Sequence, residues 1–131
     1  EAQVQNNLAI ISIKENRYQD AVNFLIKAEN LYNYVGNEDD LSRVYNNLGS
    51  ALEQLNYSED TITSCYKKAI ALKFTSGDSS GLISPLLNLA TYYLRQENYS
   101  ALTTYTSELE SLTSYFGVQD YATYYFIQSS L

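Results

Sequence analysis

The chain has 131 residues, 45% of them hydrophobic, with 15 acidic against 8 basic side chains and no histidine. That length suits one compact domain or three to four helical hairpins, and the apolar fraction can fill a continuous core. A net charge of −7 spread along the chain offers no basic stripe for a phosphate backbone, and the absence of His removes the commonest general base and metal ligand.

Taken in chain order, the apolar periodicity predicts seven helices, over about 2–14, 18–35, 39–54, 58–75, 81–95, 99–115 and 119–130. The first contains the string Asn7-Leu8-Ala9 and stops at a polar break near Asn16-Arg17. The second places Tyr18, Ala21, Phe24, Leu25, Ala28 and Leu31 at helical spacing and is expected to end at Gly36-Asn37. Glu38-Asp39-Asp40 then opens the third, where acids complement the helix dipole, so this cluster is read as helix chemistry and not as a metal site. Asn47-Leu48-Gly49 repeats the earlier string, and the break comes at Asn56-Tyr57.

The fourth helix carries Ile62, Tyr66, Ala69 and Leu72, which match the second helix only if one residue is inserted after Asn56. Gly77-Asp78 separates it from the fifth, which holds Asn88-Leu89-Ala90 and the single proline. Pro85 suits a first helical position behind a Ser84 cap, yet the repeat sets it deeper, so the helix either starts late or has an irregular first turn. After Glu97-Asn98 the sixth helix shows Tyr99, Leu102, Tyr105, Leu109 and Leu112, and Gly117 with Asp120 is expected to end it and cap the last.

The three strings and their flanking breaks superimpose at a shift of about 41 residues, giving units over about 1–36, 37–77 and 78–117 and a terminal helix over 118–131, all within a single 1–131 domain. At Ala9, Gly49 and Ala90 a larger side chain would hold paired helices apart, which is why Gly is accepted there despite costing roughly 1 kcal/mol against Ala. These units resemble tetratricopeptide repeats in Leu8-Ala9 with Tyr18, Ala21, Leu25 and Ala28, in Leu48-Gly49 with Tyr66 and Ala69, and in Leu89-Ala90 with Tyr99, Leu102 and Tyr105. The long period and the Gly-Asp-like joints are similar to those of kinesin light chains and bacterial regulators of the Rap type. The resemblance implies an all-α, right-handed superhelical stack of hairpins that binds a peptide or protein segment in a concave groove lined by the first helices.

By register the non-core residues of those first helices are Gln3, Asn6, Asn7 and Lys14, then Arg43, Asn46, Asn47, Ser50 and Gln54, then Ser84, Asn88, Thr91 and Arg95. Asn7, Asn47 and Asn88 recur immediately before each Leu. A carboxamide can hold both the N–H and the C=O of a ligand backbone, the role that the resemblance implies, or it can tie neighbouring helices together. Lys14, Arg43 and Arg95 could draw an acidic segment, or be solvated charge, since Lys14 and Arg95 lie near helix C-termini where cations are favoured. The carboxylate clamp of chaperone-binding relatives is not reproduced.

Most tyrosines fall on buried stripes, and each of the adjacent pairs Tyr92-Tyr93 and Tyr124-Tyr125 is expected to turn one ring away from its stripe. Cys65, the only cysteine, reads as a small semi-buried filler; it excludes a disulfide framework and leaves the compartment open. No base, nucleophile or metal set converges on one face, so the expected function is non-catalytic binding without a cofactor. A structural spacer or self-association segment is the alternative. No apolar run reaches the length of a membrane span, and the absence of Met raises the expectation of a piece of a longer regulatory protein. Its aromatic last helix is expected to pair with further repeats or with a second copy.

Overall fold

A computed structural model describes residues 1–131 and is all-α, with seven α-helices and no strand. They are α1 (Ala2–Lys14), α2 (Tyr18–Val35), α3 (Glu38–Gln54), α4 (Glu59–Ser76), α5 (Ile83–Arg95), α6 (Tyr99–Glu110) and α7 (Val118–Gln128). The chain divides into two compact units, Glu1–Ser76 and Gly77–Leu131. The first holds the hairpins α1–α2 and α3–α4; the second holds α5–α6 and α7.

One turn closes every hairpin. Asn16, Asn56 and Glu97 take the left-handed conformation at φ 61°, 58° and 57°. In each case the next N–H reaches back five residues, Arg17 to Ser12, Tyr57 to Leu52 and Asn98 to Tyr93, at 2.8, 3.1 and 3.0 Å. This Schellman closure satisfies carbonyls that the helix end would leave bare. The second helices then start on the same bond, Ala21 to Arg17, Ile62 to Ser58 and Leu102 to Asn98. Counting from the turn, Tyr57 is the residue that the middle unit inserts.

From that origin the inward positions of α2, α4 and α6 correspond as Ala21, Ile62, Leu102 and as Ala28, Ala69, Leu109, all but fully buried. Between them Leu25, Tyr66 and Thr106 occupy one position with very different volumes. The small residue on the facing first helix answers this difference. A Cβ added to Gly49 would lie 2.8 Å from Cε1 of Tyr66, whereas Ala9 and Ala90 are tolerated where the counterpart is Leu25 or Thr106. Ser42 ties α3 to α4 by donating to the Ala69 carbonyl at 2.8 Å.

Several expectations are corrected. Leu31 is 36% exposed and Tyr32 points inward instead, because the stripe of α2 drifts by one residue after Ala28. Leu8 is 38% exposed although Leu48 and Leu89 are buried. Tyr99 is 47% exposed. Ser84 is not a cap: α5 begins at Ile83 behind a 3₁₀ turn, Ser80–Leu82, held by Asp78 accepting from the Gly81 N–H at 2.9 Å. Pro85 is thus the third helical residue, still within the first turn, where its missing N–H costs no bond.

The sixth helix stops at Glu110, short of the expected 115, and continues as a 3₁₀ turn over Thr113–Tyr115. Gly117 does not end it. Its backbone is extended (φ −84°, ψ 178°), and it is the N-cap of α7, donating its N–H to the Asp120 carboxylate at 2.8 Å. Gly36 and Gly77, at φ 72° and 74°, do end their helices in the left-handed region that glycine enters without strain. No helix is long and apolar enough to cross a membrane.

Candidate functional site

Within the first unit, the helix packing brings the first helices of consecutive repeats together through a pair of carboxamides. Asn47 Nδ2 donates to Asn6 Oδ1 at 3.2 Å across a separation of 41 residues. Asn6 is buried, while Asn7, one position on, is exposed. Matching the strings by their Leu had placed Asn7 opposite Asn47, a shift of 40; the side chain that meets Asn47 is the one displaced by a full 41. This bond holds α1 against α3, and the Asn47 carbonyl oxygen keeps its acceptor capacity.

Around that pair, Asn46 and Ser50 are half-buried on α3. Arg43 is exposed, with its guanidinium 3.1 Å from the Asp40 carboxylate. Asp40 is itself fixed by the α3 cap, where Asn37 accepts its N–H at 3.1 Å and donates to its carboxylate at 2.7 Å. The arginine head therefore stays near the start of α3. Lys14 is exposed in the last turn of α1, and Gln3 and Gln54 are also exposed.

In the second unit, Asn88 is half-buried and Arg95 exposed, and both engage neighbouring groups. Thr91, half-buried, spends its hydroxyl on its own helix, donating to the Leu87 carbonyl at 2.7 Å. Tyr92 and Tyr93 are both buried, so neither ring turns outward as expected; Tyr93 stacks on Tyr105 with centroids 5.8 Å apart. Tyr124 is buried and Tyr125 exposed, as the sequence led one to expect of that pair.

Sequence reasoning missed a polar cluster on the other side of α3. Tyr45 is half-buried, with the Glu29 carboxylate and Asn33 of α2 near its hydroxyl, and the Lys68 ammonium lies 5.3 Å from its ring centroid. Burial, and then Glu29, push the Tyr45 hydroxyl up to about 12. Beside it, burial pushes the Cys65 thiol up to about 11, against the opposing pull of Lys68. Both groups stay protonated at neutral pH, which suits a polar contact between helices and not an activated nucleophile. Glu29, Asn33 and Lys68 fall at polar positions that periodicity alone reads as solvated.

A second polar contact joins the start of α3 to the end of α4. Lys73, nearly buried, places its ammonium 3.5 Å from Asp39, an acid of the cluster at the α3 N-terminus. The helix-dipole reading of that cluster therefore accounts for Asp40 in the cap, and Asp39 has an interhelical partner besides.

Compared with known proteins, the chain matches no family model, no curated protein and no solved structure. The class that its own architecture defines is an all-α protein of helical hairpins, each closed by the same left-handed turn.

Proposed function

We propose that this chain is a non-catalytic binding module of the tetratricopeptide type, recognising an extended or acidic peptide or protein segment within a larger signalling regulator. The observation that carries the reading is the recurrence of one hairpin with the same turn at Asn16, Asn56 and Glu97 and a small residue at Ala9, Gly49 and Ala90. Repeats of that kind build extended surfaces suited to protein partners. On the first unit, Asn7, Lys14 and Arg43 stand in water where an incoming carboxylate or backbone can reach them, and Asn46 and Asn47 lie half-buried beside them in sequence.

The Asn47 to Asn6 bond supports a second reading, in which the recurrent asparagines tie helices together and the chain is a spacer or self-association segment. The two separate cleanly. A peptide library displayed on phage and selected on the 1–131 chain should return extended, acid-bearing sequences. Their affinity should fall at raised salt and on Arg43→Ala or Asn7→Ala, two exposed positions whose loss leaves the melt unchanged. Selected peptides that bind both variants at full strength would remove this surface from the proposal and leave the spacer reading.

A further inference from the structure

The last helix leaves an ordered aromatic surface uncovered. α7 buries Tyr124 and Ile127, while Tyr121, Tyr125 and Phe126 are 38%, 58% and 63% exposed. Four rings close a cycle: Phe116 meets Tyr121 and Tyr124 edge-on at 5.2 and 5.5 Å between centroids, and Tyr125 lies 5.9 Å from Tyr121 and 5.6 Å from Tyr124. The rings are pinned from both sides. Tyr121 donates its hydroxyl proton to the Thr113 carbonyl at 2.9 Å, and Gln128 donates to the Tyr124 hydroxyl at 2.8 Å.

The segment that carries this patch has charge of one sign. Beyond Arg95 the chain carries Glu97, Glu108, Glu110 and Asp120 and no Lys or Arg. Glu110 is close enough to the cluster to act on it, since after burial its carboxylate is the next cause holding the Tyr124 hydroxyl above its usual range. Aromatic faces are electron-rich and attract cations, Arg and Lys foremost, and surrounding carboxylates add to that attraction. A second copy pairing through the same segment would instead bring Glu110 and Asp120 towards their own counterparts, which like-charge repulsion opposes.

We propose that the exposed rings of Tyr121, Tyr125 and Phe126, backed by Phe116 and the buried Tyr124, are a docking surface for a basic protein segment presenting Arg or Lys side chains. The rings are held before the partner arrives, so little side-chain entropy is lost on binding. This surface lies apart in sequence from Asn7, Lys14 and Arg43 and takes a partner of opposite charge, so it stands or falls independently of the acidic-peptide reading.

The test uses the 1–131 chain, a fluorescent arginine-rich peptide and the same peptide with every Arg replaced by citrulline, which keeps the shape and removes the charge. The arginine peptide should bind and the citrulline peptide should not. Tyr125→Ala should weaken the arginine peptide by about two- to five-fold, the span of an exposed cation–π contact of about 0.5–1 kcal/mol. Tyr125→Phe should restore it, because the ring and not the hydroxyl is the contact. Glu110→Gln should weaken it separately and reduce its salt dependence. Affinity unchanged by both Tyr125→Ala and Glu110→Gln, or equal binding of the citrulline peptide, would overturn the proposal. So would a concentration-dependent dimer that Tyr125→Ala abolishes, since a second copy would then own the surface.

Discussion

Gly49→Ala adds one methyl group at the tightest helix contact described in the first unit. At an open helical position that change would stabilise by about 1 kcal/mol. Here the new Cβ would lie 2.8, 2.9 and 3.0 Å from Cε1, Cδ1 and Cζ of Tyr66. The ring has no room to retreat: it is 1% exposed, and its hydroxyl donates to Glu53 Oε1 at 3.0 Å. Overpacking of this kind costs about 1–3 kcal/mol, so the net effect should run from neutral to about 2 kcal/mol destabilising. In a Tyr66→Leu background, which recreates the Leu25 arrangement of the first hairpin, the clash is gone and Gly49→Ala should stabilise by about 1 kcal/mol. Urea denaturation of the four proteins, followed by far-ultraviolet circular dichroism, measures the coupling, expected at about 1–3 kcal/mol. Effects that add within about 0.5 kcal/mol would refute the claim that Gly49 is small because Tyr66 is large.

Glu97 holds a left-handed conformation without the help that Asn gives at positions 16 and 56, so Glu97→Asn should stabilise by about 0.5–1 kcal/mol in thermal melts. The carboxamide bond predicts that Asn6→Ala and Asn47→Ala each cost about 0.5–1.5 kcal/mol and are coupled, whereas exposed Asn7→Ala stays within about 0.5 kcal/mol; equal losses at 6 and 7 would count against the register. Cys65 and Tyr45 ionise at about 11 and about 12 in the folded chain against ordinary values of 9.0 and 10.0, so the unfolded chain releases their protons first. Their contribution to stability is therefore whole below pH 9 and is lost as pH rises towards 11 and 12. Urea midpoints should fall over that window, less steeply in Cys65→Ser, and a pH-independent midpoint would remove the assignment.

The all-α class and the helix count were legible in the sequence because both rest on local chemistry repeated three times. Apolar residues at helical spacing, glycines at Gly36 and Gly77, and polar breaks at Asn16, Asn56 and Glu97 each act within a few residues, so each can be read without its neighbours in space. The single residue inserted after Asn56 was visible as a slip in register, and the backbone turn identifies it as Tyr57. Boundaries failed where a turn competes with a helix: Thr113–Tyr115 tightened to 3₁₀, and Gly117 became an N-cap because the Asp120 carboxylate captured its N–H.

Packing between helices is another matter, since it depends on which side chains arrive from elsewhere in the chain. Sequence alone could not choose Asn6 over Asn7 as the partner of Asn47, because the string match aligns Asn47 with Asn7 and only the meeting of α1 with α3 brings Asn6 to it. Nor could it show why Gly49 is glycine, which needs the Tyr66 ring in place. Burial of Lys73 against Asp39, and the contact of Tyr45 with Glu29 and Lys68, are decided likewise, by which face of each helix the hairpins turn inward. The sequence thus determined the helices and their period through local backbone chemistry. Tertiary structure decided which polar side chains meet, because desolvation and close contact exist only once the helices are packed.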